Sequence, residues 1–113
     1  MKIRKFFVYT ADLNPRFGTE PGKVRPVVVI QTNSLNLVHP STIVCPISTQ
    51  VNPQSDLLRV HLKKNEAGLS RPSDVLVDQI RAIDNRRFVK ELGEISEKNK
   101  LHLLKNLNIV IME

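Results

Sequence analysis

The sequence predicts a small, mainly β domain, in which short strands wind into a barrel and one C-terminal α-helix closes it. Three observations predict it. Short runs rich in β-branched and aromatic residues recur along the chain with turn residues between them. The one long amphipathic pattern comes after Ser96. The chain has 113 residues, 41% of them apolar and 25% charged, which suits one hydrophobic core and leaves too little for a second domain.

Taken in order, Ile3 to Thr10 reads as the first strand. Between Asp12 and Val24 stand Pro15, Gly18, Pro21 and Gly22, a density of backbone punctuation that predicts a long surface loop. That loop carries Arg16, Phe17, Glu20 and Lys23, and a connection of this length in a small domain is the first place to look for a site. Arg25 to Thr32 is a continuous β-branched run and reads as a strand buried on both faces, with Pro26 near its start where a missing amide does least harm. A loop from Asn33 to Pro40 leads to a strand over Thr42 to Thr49, where Pro46 suggests an edge position or a bulge. Asp56 to Leu62 and Val75 to Gln79 complete five strands, separated by the turn-rich stretch Asn65 to Ser73. Arg86 to Leu92 reads as one or two helical turns stopped by Gly93. Ser96 is the expected N-cap of a helix reaching about Ile111. Leu101, Leu104, Leu107 and Ile111 form its apolar stripe, Leu103 and Val110 widen it, and Lys98, Lys100 and Lys105 are left for solvent.

Composition removes several function classes. Apolar runs fall short of a bilayer span, and the first ten residues lack the uninterrupted apolar core of a signal peptide, so the expected location is the cytoplasm with no membrane partner. Cys45 is the single cysteine, and the three histidines are scattered, so no internal disulfide, metal site or cofactor is expected. Cys45 itself reads as a core residue, and His39, His61 and His102 receive no catalytic role. Seventeen Lys and Arg against eleven Asp and Glu leave a net charge of +6, distributed as +3 on either side of Asp56. An excess spread through the folded chain suits a polyanionic partner, though it equally suits a basic soluble protein.

Three local arrangements carry more chemistry. Gly22-Lys23-Val24-Arg25-Pro26 leads from a loop into a buried strand, where an arginine at the strand root presents a fixed guanidinium fork to a phosphate. Ser48-Thr49-Gln50 ends another strand with hydroxyls that suit either a phosphate or ordinary capping. Asp78-Gln79-Ile80-Arg81 ends a third, where a surface ion pair is the alternative reading.

Together these blocks resemble the MazF/PemK/Kid toxins of bacterial toxin–antitoxin pairs. The resemblance rests on Val8-Tyr9, Asp12-Leu13, Pro15, Gly18, Glu20, Gly22, Arg25 to Ile30, Pro46-Ile47-Ser48 and Asp78 to Asp84, separated blocks in the right order along nearly the whole chain. It implies a homodimer of SH3-like barrels that cleaves single-stranded RNA at short sequences without metal, leaving 2′,3′-cyclic phosphate and 5′-hydroxyl ends, and that is held silent by a cognate antitoxin. On this resemblance Arg25 is the catalytic arginine, and Ser48 stands where many members carry a catalytic threonine. Asp78 is a weaker candidate for a base, because the arginine that accompanies it in the Kid branch is Leu76 here. Arg16, Phe17, Gly22, Lys23, Thr49, Gln79 and Arg81 are the expected RNA-binding residues. Phe6-Phe7 stands where members typically read Gly-Asp. Two alternatives stay open: a gyrase-poisoning interaction protein of the CcdB type, which the lack of tryptophan counts against, and a degenerate toxin that binds RNA without cutting it.

Overall fold

The computed structural model describes residues 1–15, 18–19 and 23–113. Among the described residues seven strands appear in place of the expected five: β1 (Phe7–Asp12), β2 (Val24–Val29), β3 (Ser41–Ser48), β4 (Arg59–Leu62), β5 (Ser73–Leu76), β6 (Arg81–Asp84) and β7 (Phe88–Glu94). A single-turn helix α1 (Asn33–Asn36) follows β2, and α2 (Glu97–Met112) ends the chain. All the strand pairs are antiparallel, in the order β4-β5-β3-β2-β1-β7, with β6 also pairing with β3.

Alternation along these strands builds two apolar layers. Val8, Val28, Cys45, Ile47, Val60, Leu62, Val75 and Val77 face one side, where Leu103 and Leu107 of α2 cover them. Tyr9, Ala11, Val27, Val29, Val44 and Ile83 face the other, covered by Ile3, Leu13, Phe7 and Phe88. Val27, Val28 and Val29 are all fully buried, as the continuous β-branched run requires of a strand with a layer on each face. Burial also pushes the Cys45 thiol up to about 12, so it is an inert core group.

The ladder runs from β4 to β7 without hydrogen-bonded closure, and a 3₁₀ turn at Glu66–Gly68 packs into the opening. Gly68 (φ +74) and Gly93 make this approach possible, since a Cβ on Gly68 would fall on the Leu92 carbonyl and one on Gly93 would lie 2.9 Å from the Ala67 carbonyl carbon. Glu66 then ties the turn to α2, accepting from the Ser96 backbone N–H at 3.0 Å and from Asn99 Nδ2 at 2.8 Å.

Four expectations change. Arg86 to Leu92 is not helical: after a 3₁₀ turn at Asn85–Arg87 the chain forms β7, because pairing with β1 (Phe7↔Glu94 to Ala11↔Phe88) outweighs weak local helix preference. Pro46 lies neither on an edge nor in a bulge but in the inner strand β3, paired across to Val27. It falls between Val44, the last β3 residue to pair with β6, and Ile47, the first to pair with β5, where a missing amide breaks neither of those ladders. The helix N-cap is Ser96 as expected, its Oγ accepting from Asn99 N–H, but the buried seam of α2 is Asn99, Leu103, Asn106 and Leu107. Leu101, Leu104 and Ile111 are exposed, whereas Lys100 is drawn in by Glu94 and Glu97. Finally, β1 starts only at Phe7, because Phe6 adopts φ 69, the left-handed region that favours glycine. Phe6 thus occupies a backbone conformation that glycine takes freely, and its ring packs against the α2-covered layer under Lys5 and Lys100.

Candidate nucleic-acid site

The sheet register assembles the candidate residues. β1 and β2 pair Ala11 with Arg25, β3 and β5 pair Ser48 with Asp74, and β5 and β4 pair Asp74 with His61. The β2–β3 ladder runs from Val29↔Val44 to Val27↔Pro46 and ends there, with Arg25 two residues beyond the last pair on β2 and Ser48 two residues beyond it on β3. Paired residues point to the same face of a sheet, so Ser48, Asp74 and His61 form one polar row across three strands, roughly 10 Å long at about 4.8 Å per strand, with Arg25, on the Val27 face of β2, at the same end of the β2–β3 ladder as Ser48. The row lies on the face of Val27 and Val44 at the end where that apolar layer stops. Arg81, opposite Val44, shares the face.

Arg25 and Ser48 are half-buried and Asp74 is fully buried. The Ser48 Oγ accepts from the Gln50 backbone N–H at 3.0 Å, which leaves the hydroxyl hydrogen to donate outward. Thr49 and Gln50 are exposed in the turn beyond β3, and Gln79 is half-buried after β5. Asp78 is exposed in the turn after Leu76, outside the register that aligns the row. Arg16, Phe17 and Gly22 lie outside the described residues.

Lys23, exposed and at φ 65, helps close the root of the long loop. Its backbone N–H donates to Asn14 Oδ1 at 2.8 Å, and its carbonyl accepts from Leu13 at 2.8 Å. Arg87 reaches across from the far end of the chain and donates to the carbonyls of Asp12 and Asn14. Sequence reasoning missed Asn14 and Arg87, whose only advance signal is an Asx turn residue after Asp12 and a basic pair after Asp84.

It also missed Asp74, Arg59 and His61. Asp74 Oδ2 accepts from Asn52 N–H at 2.8 Å and from Arg59 Nη1 at 3.1 Å, while Oδ1 accepts from His61 Nδ1 at 2.6 Å. A buried carboxylate needs such partners to remain charged. The hydrogen bond to Asp74 raises the His61 pKa above its ordinary value against the opposing pull of burial.

An arginine and a hydroxyl donor at the same end of a sheet ladder suit an anionic, phosphate-bearing ligand. The sequence model of the PemK-like, MazF-like toxins of type II toxin–antitoxin systems matches residues 4–111. The chain belongs to this family. It is 36% identical over 107 residues to the endoribonuclease MazF of Staphylococcus epidermidis, covering 95% of this chain and 89% of that protein. Its fold superposes on MazF from Deinococcus radiodurans with a TM-score of 0.83 at 22% identity, over 100% of this chain and 99% of that one. A MazE–MazF structure from the same organism matches with a TM-score of 0.79 at 22% identity, over 99% and 97%. Family membership favours the toxin reading over the CcdB-type alternative. Among the described residues, no helix is long and apolar enough to cross a membrane.

Proposed function

We propose that this chain is the toxin of a type II toxin–antitoxin pair and a sequence-specific endoribonuclease that cuts single-stranded RNA by metal-independent transesterification in the cytoplasm. The observation that supports the reading is that Arg25, near the start of β2, and Ser48, at the end of β3, both lie just beyond the last β2–β3 pair, Val27↔Pro46. Its relatives' endoribonuclease activity supports it.

In this mechanism the 2′-hydroxyl loses its proton to a base and attacks the adjacent phosphorus in line, the P–O5′ bond breaks, the leaving O5′ takes a proton from solvent water, and the products are a 2′,3′-cyclic phosphate and a 5′-hydroxyl. Arg25 stabilises the charge that develops on the phosphorane oxygens. Its main contribution is that of an electrostatic clamp rather than a general acid. Ser48 donates to a phosphate oxygen; no imidazole stands next to it in the register to make it a nucleophile. Asp78 is the carboxylate assigned to accept the 2′-hydroxyl proton, a role supported only by its exposure on the turn beyond β5. Lys23, Arg81, Thr49 and Gln79, together with Arg16, Phe17 and Gly22, hold the RNA.

Exposed apolar side chains on α2 and near α1, among them Leu101, Leu104, Leu37 and Val38, support self-association into a homodimer and docking of an antitoxin. Incubating the purified protein with a long RNA in EDTA tests the activity. Fragments ending in cyclic phosphate are expected, and intact RNA would leave the binding-only reading in its place. Light scattering gives the oligomeric state, expected to be twice the chain mass.

A further inference from the structure

We propose that Asp74, held by Arg59 and His61, is a positioning residue that fixes the turn after Ser48 and thereby aims the Ser48 hydroxyl at the phosphate. This rests on the endoribonuclease reading above and adds residues to it.

The connection is continuous. Gln50 donates its N–H to Ser48 Oγ, and its carbonyl accepts from Arg59 Nη1 at 2.9 Å. The same Arg59 nitrogen donates to Asp74, and Asp74 also takes the N–H of Asn52. The turn residues on either side of Val51 are therefore bound, directly or through Arg59, to one carboxylate that is fully buried on the neighbouring strand. Because Asp74 is the register partner of Ser48, the carboxylate sits beside the hydroxyl whose neighbours it orders. A shift of the Gln50 N–H would free Ser48 Oγ to rotate, and an unaligned donor loses its preorganised contact with the transition state.

His61 adds control by pH. Asp74 is acceptor-only when ionised, so His61 Nδ1 carries the proton between them. The other nitrogen, Nε2, lies 3.5 Å from Asp56 Oδ1 in the same β3–β4 connection. The groups facing the imidazole are thus Asp74 from β5 and Asp56 from the loop, with Arg59 on the far oxygen of Asp74. Asn99 of α2 donates to the His61 carbonyl. Protonated, His61 hydrogen-bonds Asp74 and is paired by charge alone with the exposed Asp56, since Nε2 makes no hydrogen bond among the described residues. Neutral, it keeps the bond to Asp74 but turns a lone pair toward Asp56, and that end of the loop loses its tie. The raised His61 pKa means the clasp is complete below the ordinary histidine range and loosens as pH rises through the folded value.

The test pairs NMR with single-turnover cleavage, using wild type and His61→Asn, whose amide keeps a donor for Asp74 without the charge. In wild type the Gln50 and Asn52 amide resonances should follow the titration of the His61 ring, and the maximal single-turnover rate should fall about tenfold through the same pH with the half-saturating concentration little changed. In His61→Asn the amides should be insensitive over that range, and the low-pH rate should equal the wild-type high-pH plateau. Amides that ignore the His61 titration, or a His61→Asn profile that superposes on wild type, would overturn the proposal. Wild type that leaves RNA intact at every pH would instead sink the nuclease reading, and the amide titrations would still decide whether the clasp exists.

Discussion

The backbone N–H of Gln50 donates to the Oγ of Ser48 at 3.0 Å, so one lone pair of the serine oxygen is already engaged and its proton is left to donate. A donor fixed in this way acts most strongly on charge that appears in the transition state. Ser48→Ala should therefore slow cleavage by roughly tenfold to a thousandfold while RNA affinity changes little. Ser48→Thr keeps the hydroxyl, adds a methyl that stiffens the rotamer, and should retain or modestly raise the rate. Single-turnover kinetics with the three proteins read this out, and equal rates for alanine and wild type would reduce Ser48 to a strand-end residue.

Lys23 stands exposed at the pinched root of the β1–β2 connection, where Asn14 and Leu13 hold its backbone and Arg87 holds the Asn14 carbonyl. Log affinity for a non-cleavable oligonucleotide should fall with log salt by about 0.7 for each phosphate neutralised, and Lys23→Ala should flatten that slope. Fluorescence anisotropy over a salt series measures it, and salt-independent binding contradicts a phosphate-tracking groove.

Glu66 links the turn that plugs the sheet opening to the first turn of α2. Burial pushes its pKa up, but the hydrogen bonds from Asn99, Ser96 and Lys63 outweigh that and leave it below the ordinary glutamate value. A depressed folded pKa gives stability that is present above the unfolded value and is lost as pH falls through the folded one. Glu66→Ala should cost about 1–2 kcal/mol at neutral pH, and its deficit relative to wild type should shrink in acid. Urea melts at several pH values provide the check; a deficit that stays constant into acid would place the loss in packing instead.

Gly93 faces the backbone of Ala67 closely enough that a methyl would lie 2.9 Å from its carbonyl carbon. Gly93→Ala must separate β7 from the 3₁₀ turn and should destabilise by about 1–3 kcal/mol. Thermal denaturation tests this, and an unchanged melting temperature would show that the turn yields without cost.

Much of this was legible in the sequence, where the signal was local. The valine run of β2 and the Ser96 cap depend on residues adjacent in the chain, and both are found where expected. Strand β7 was hidden because Phe88 to Glu94 lacks clean alternation and is organised by pairing with β1, far away in the chain. Leu101 and Leu104 fit a helical stripe but are exposed, since the buried seam is set by what α2 packs against. The same holds at the site: Arg25 and Ser48 stand in recognisable blocks, whereas Asp74 and His61 have meaning only once β5 and β4 place them side by side. A lone histidine between Val60 and Leu62 carries no signal of a carboxylate across the ladder.

The measurement that most directly tests the account is single-turnover cleavage of a long single-stranded RNA by wild type and Arg25→Ala in EDTA, with mass spectrometry of the ends and circular dichroism of both proteins. The account predicts that wild type yields 2′,3′-cyclic phosphate and 5′-hydroxyl termini. It predicts that Arg25→Ala, folded like wild type, loses at least ~100-fold in rate, the scale of removing a principal transition-state contact. A folded Arg25→Ala protein that cuts at the wild-type rate would contradict it.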